Sequence, residues 1–143
     1  MNRLHFSIDI KAPRERVWNV LWEDATYRDW TSVFSEGSYA VSDWNEGSPV
    51  QFLDATGRSG MAAVIEKKRP GEFMSFRHDA EIKDGKTQPP AGWSGAHENY
   101  TLTSHDGRTT LTVDLDTTDE YRQMFEGTFP RALERVKTLA EAA

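Results

Sequence analysis

The sequence predicts an α+β fold in which a curved antiparallel sheet of about six to seven strands wraps around one long C-terminal helix, with two short helices after the first strand. Three observations predict it. Apolar side chains recur at three- and four-residue spacing through the last quarter of the chain, at Tyr121, Met124, Phe125, Phe129, Ala132, Leu133, Val136, Leu139 and Ala140. That spacing is the stripe of one amphipathic helix. Most of the chain before it alternates apolar and polar residues with a period of two, as half-buried strands do. The alternating runs are separated by turn residues at hairpin spacing. A lone helix cannot bury a stripe against itself, so the sheet has to grip it.

Each element has its own justification. Leu4, Phe6, Ile8 and Ile10 share one face of a first strand. Ala12-Pro13 ends it, and Pro13 suits the first turn of a helix over Glu15 to Trp22. Val17, Trp18, Val20 and Leu21 form that helix's apolar side, and a second short helix is predicted from Glu23 to about Trp30. After a loop over Thr31 to Gly37, strands are predicted at Tyr39 to Trp44, Pro49 to Asp54, Met61 to Lys68 and Glu72 to Ile82. Lys83 to Ala96 is rich in breakers and reads as a long loop. His97 to Ser104 and Thr109 to Thr117 form a hairpin through Asp106-Gly107, a type I′ signal. The final helix spans about Thr118 to Ala142, with Asp119 and Glu120 at its positive end and Pro130 expected to kink it near Glu126 to Gly127.

Bulk properties exclude several function classes. A chain of 143 residues suits a single domain over 1–143. A net charge of −6 with interspersed signs excludes a basic nucleic-acid module or polybasic membrane binder. The absence of cysteine removes disulfides, thiolate metal sites and thiol nucleophiles. The four histidines show no ligand spacing, so no metal and no cofactor is expected. Ser104-His105-Asp106 spells triad letters on a hairpin turn, where triad geometry cannot arise. No apolar run suits a membrane span or a signal core, and a cytoplasmic protein is expected.

The stretch IDIKAPRERVWNVLWEDATYRDW, with Ala12-Pro13, Val17-Trp18, Leu21 and Trp30, resembles the opening of START-like, Bet v 1-like (SRPBCC) proteins in the activator of Hsp90 ATPase homologue 1-like branch. Glu46-Gly47-Ser48, Arg69-Pro70-Gly71-Glu72 before Phe73-Met74-Ser75-Phe76, the hairpin GRTTLTV and the ending LERVKTLAE continue the resemblance over nearly the whole chain. It departs at Gly127-Thr128-Phe129, where the branch often carries Gly-Trp, and in the long loop before Ala96. The resemblance implies a helix-grip fold with an internal cavity, and members range from ligand carriers to cyclases and co-chaperone domains.

Strand parity then places Met74, Phe76 and His78 on the concave face, with Glu98 and Tyr100 beside them and Ser75 and His97 on the other face. His78, Glu98 and Tyr100 are either the polar end of a ligand cavity, an acid/base pair, or solvated groups at its mouth. Trp30, Phe34 and Trp93 are expected near the opening, or, for Trp30, packing the short helices onto the sheet. Phe52 joins the ligand-binding candidates, as do Tyr121, Phe125 and Phe129, which belong first to the helix's core face. No catalytic residue is assigned. The leading reading is a binding module for a hydrophobic small molecule: a lipid, an isoprenoid or a polyketide-like aromatic. The alternatives are a cyclase- or hydrolase-like enzyme using His78 or Glu98 as base, and a stress or co-chaperone interaction protein. An Hsp90-type chaperone is not an expected partner, because that role needs contacts and a further domain beyond a chain this short. A monomer or weak homodimer is expected.

Overall fold

The computed structural model describes residues 1–142. The elements run β1 (Asn2–Ile10), α1 (Arg14–Trp22), α2 (Asp24–Thr31), β2 (Tyr39–Val41), β3 (Pro49–Leu53), β4 (Gly60–Arg69), β5 (Phe73–Lys83), β6 (Lys86–Thr87), β7 (Ala96–His105), β8 (Arg108–Thr117) and α3 (Asp119–Glu141). The strands form one antiparallel sheet in the order β1-β8-β7-β5-β4-β3-β2, with β6 paired to β5. This is the expected helix-grip architecture, with eight strands where about six to seven were predicted. The extra strand is β6, a two-residue pairing inside the predicted loop, closed by a turn with positive φ at Asp84 and Gly85.

Local chemistry explains the boundaries. Pro13 caps α1 instead of entering it: its φ of −71° and ψ of 160° are extended, and its carbonyl accepts from the Arg16 and Val17 amides. The predicted strand through Trp44 stops at Val41: the Ser42 hydroxyl accepts the Trp44 amide in a local turn, and Trp44 has a φ of 64°. The Asp106-Gly107 turn has positive φ at both residues, 53° and 76°, as type I′ requires. Gly60 opens β4 where no side chain fits: a Cβ there would stand 1.8 Å from the Phe52 carbonyl oxygen.

The core lies between the concave sheet face and the C-terminal half of α3. Phe129, Ala132, Leu133, Val136 and Ala140 are buried there. Polar contacts hold that half of the helix at both sides: Arg135 to Asp29 on α2 at 2.6 and 2.9 Å, and Lys137 Nζ to the Asp9 carbonyl on β1 at 2.9 Å. Glu141 receives the Lys11 amide at 2.8 Å. The N-terminal half differs from the sequence expectation of a stripe buried from end to end. Tyr121 and Met124 are 45% and 47% exposed, and Phe125 is only half-buried. The physical reason is length: the helix overhangs the sheet core. Residues 119–141 remain one helix through Pro130. Pro130 and Glu126 are both exposed, so solvent can replace the missing amide donor.

Phe129→Ala is therefore expected to cost about 3–5 kcal/mol of unfolding free energy, as for other buried rings. Phe125→Ala is expected to cost about 1.5 kcal/mol or less, because its ring is only partly removed from water. Denaturant titration of both variants checks the pair; equal losses would place the anchored half of the helix wrongly. Gly60→Ala should also unfold more readily than wild type, since the β3–β4 turn must open to admit a Cβ.

Candidate functional site

Below the overhang of α3, a cavity of about 540 Å³ opens between helix and sheet. Its floor is Phe76 and His78 on β5 with Glu98 and Tyr100 on β7. One side is Trp22, Tyr27 and Trp30 from α1 and α2, continued by Phe34. The other side is Phe52 on β3 with Met61 on β4, and Trp93 also lines the space. Tyr121, Met124, Phe125 and Phe129 of α3 form the roof. Eleven of the sequence-selected side chains thus meet around one space. Met74 does not: it is fully buried in the core cluster and does not reach the cavity.

The apolar surface is a mesh of edge-to-face rings. Phe76 is its centre, 5.1 Å from Phe52 at 90° and 5.3 Å from Trp22 at 73°. Trp22 also stands 5.0 Å from Tyr100 at 82°. Such pairs hold ring positions beyond what burial alone would. Trp30 belongs to this wall and not to the opening. It is 2% exposed, and its indole donates to the Leu21 carbonyl at 3.1 Å, tying α2 to α1. Of the two places the sequence left open for Trp30, the packing one applies, while the ring still faces the cavity. Phe34 leans edge-on against Phe129 at 4.9 Å.

The polar end is a relay of three side chains. Glu98 accepts from the Tyr100 hydroxyl on one oxygen and lies 2.8 Å from His78 Nε2 on the other. The His78 and Glu98 side chains are 12% and 18% exposed. This contact engages the Nε2 side of the imidazole and leaves Nδ1 as the ring's remaining nitrogen. His78 Nδ1 and Trp22 Nε1 are buried and have no partner among the described residues. Tyr100 is pushed well above the ordinary tyrosine range, first by burial and then by the adjacent Glu98 charge. Tyr27 is raised for the same two reasons. Neither phenol is a proton donor to solvent near neutrality, so both act as hydroxyls.

The lining residues that the sequence did not single out include Trp22, Tyr27, Met61, Met124 and Glu81. Trp22 had a signal: it lies four residues after Trp18, on the same side of α1, and the two rings pack at 6.1 Å. Glu81 had none. The β4–β5 register slips between Ala62 and Ala63, skipping Asp79. A bulge of this kind changes which residues face inward. Beyond it Glu81 lines the cavity, while Ala80 and Ile82 are buried elsewhere. His97 is on the opposite face, 2.9 Å from Glu66. Among the described residues no group of three or more His, Cys, Asp or Glu could hold a metal, and no helix is long and apolar enough to cross a membrane.

The family model described as activator of Hsp90 ATPase homolog 1-like protein matches residues 11–141. The chain belongs to this family. No curated protein matches it. Solved structures similar to this family member include MLL2253 from Mesorhizobium loti, at 16% identity and a TM-score of 0.76, covering 99% of this chain and 98% of that one. The Aha1 dimer from Colwellia psychrerythraea is 19% identical with a TM-score of 0.75, covering 99% and 97%. DynU16, a putative protein in the dynemicin biosynthetic locus, is 14% identical with a TM-score of 0.71; 96% of this chain aligns to 46% of that one, so this chain spans about half its length. At these identities the likeness is one of fold.

The raised phenols set an alkaline limit. In the unfolded chain Tyr27 and Tyr100 release protons near pH ~10, whereas in the fold they hold them to higher pH. Their contribution is complete below that unfolded value and is lost as pH rises beyond it. Unfolding free energy measured against pH should fall above pH ~10 and fall less steeply in Tyr100→Phe. An unchanged slope would mean that Tyr100 ionises freely in the fold.

Proposed function

We propose that the protein is a binding module that holds a hydrophobic small molecule between sheet and C-terminal helix. A lipid, an isoprenoid or a polyketide-like aromatic suits the space. The carrying observation is the cavity of about 540 Å³, whose mostly apolar, ring-rich walls include a hydrogen-bonded polar group at Glu98. Ligand sites of this size are commonly apolar with a few placed polar groups. Ring contact and burial supply affinity at roughly 25 cal/mol per Å², less the cost of ordering the ligand. Glu98, held by His78 and Tyr100, supplies orientation. The exposed Tyr121 and Met124 gain cover when the cavity fills, which accounts for apolar side chains left at the surface.

A second reading, an enzyme using His78 as base, has one observation in its favour: the imidazole–carboxylate pair at 2.8 Å. The nitrogen that would take the proton is Nδ1, and it is buried. The binding reading needs no access to it.

Titration with N-phenylnaphthylamine, an uncharged hydrophobic probe, tests the proposal. Phe76→Ala is expected to weaken binding by about tenfold or more, as loss of a buried ring contact would. Ala96→Phe, which adds bulk beside His78 on the cavity floor, should block the probe. His97→Ala, on the opposite face, should leave binding unchanged. Equal effects at Phe76 and His97 would remove the cavity as the site. A ligand carried through purification should appear by native mass spectrometry and raise the unfolding midpoint when added back.

A further inference from the structure

The charge of the cavity narrows its ligand further. The lining contains four carboxylates, Asp54, Glu81, Glu98 and Asp116, and no lysine or arginine; His78 is its only basic group. Asp116 is already answered by Arg3 at 2.8 and 3.1 Å on the other side of the sheet. Asp54 is occupied by the Thr56 amide and hydroxyl at 3.1 and 2.6 Å. Glu81 has no ion-pair partner among the described residues. Glu98 receives one bond from a neutral phenol and one from an imidazole, and a carboxylate has about four acceptor positions, so two remain for a ligand.

We infer that the ligand is a cationic or basic amphiphile, an apolar ring system bearing an amine, whose nitrogen is held at Glu98 against the aromatic walls; this rests on the binding-module reading above. A carboxylate drawn into a low-dielectric cleft is costly until a positive charge meets it. Aromatic faces carry negative potential and attract ammonium groups. Walls of one sign focus that field on whatever enters, and the whole chain adds a net charge of −6. The same arrangement rejects anions. A fatty acid would bring its carboxylate to Glu98 or Glu81 with no lysine or arginine on the lining to receive it, and that repulsion supplies specificity.

Three probes of one shape and different charge test this: naphthylethylamine, naphthylethanol and naphthylacetic acid, titrated by calorimetry at neutral pH. The amine is expected to bind about tenfold tighter than the alcohol, and the acid more weakly than either. Added salt should shrink the amine's advantage. Glu98→Gln should bring the amine to the level of the alcohol, and Glu81→Gln should reduce the gap by a smaller factor. The wild-type ranking decides the question even where Glu98→Gln fails to fold. If amine and alcohol bind alike, His78 already neutralises Glu98 as an imidazolium, and the inference is overturned while the cavity reading stands. Preferred binding of the acid overturns it as well. If none of the three binds, the cavity reading and the inference fall together.

Discussion

The rest of the structure depends on a helix longer than the core that grips it. α3 has 23 residues, and only its C-terminal half, from Phe129 onward, is buried against the sheet. There the stripe of Phe129, Leu133 and Val136 supplies apolar burial, while Arg135, Lys137 and Glu141 tie the helix to α2, β1 and the residue after β1. The other half extends over a space that the sheet curves around but does not fill. Without the anchored half the overhang would have no fixed position, and the cavity would have no roof. Stability and cavity are thus divided along one helix, with the boundary near Gly127 to Phe129.

The second constraint is the cost of placing a carboxylate at the bottom of an aromatic space. Glu98 persists there because two donors hold it and because it keeps partial access to the opening. Those donors have consequences of their own. The Tyr100 hydroxyl is committed and its phenol is held neutral, and His78, engaged through Nε2, keeps a buried Nδ1 without a partner among the described residues. An unpartnered buried nitrogen is an exception in folded proteins. Here two of them, on His78 and Trp22, belong to residues that line the same cavity. Unsatisfied groups concentrate where the fold is built around an empty space, while the gripped half of α3 shows none.

Solved relatives share this architecture at 12–19% identity, with TM-scores of 0.65–0.76. What survives such divergence is the grip itself: alternating strands, a long helix and two short helices closing one end. A shared fold does not assign a function, which has to be argued from each chain's own residues.

Much of this protein was legible in the amino-acid order because the signals are local. Period-two alternation marked the strands, three-four spacing marked α3, and Asp106-Gly107 specified its turn by backbone sterics. Parity on two uninterrupted strand segments brought Phe76, His78, Glu98 and Tyr100 to one face. Tertiary structure alone decided the rest. Helical spacing cannot tell a stripe that meets a core from one that meets a cavity, so Tyr121, Met124 and Phe125 looked like the residues that follow them. Parity fails across a bulge, so Glu81 was invisible, and it cannot show depth, so Met74 was grouped with a cavity it does not reach. Trp30 was given two places by its sequence context, and only the Leu21 carbonyl, nine residues earlier, chose between them. Local order sets which way a side chain points; what it points at depends on where distant segments end.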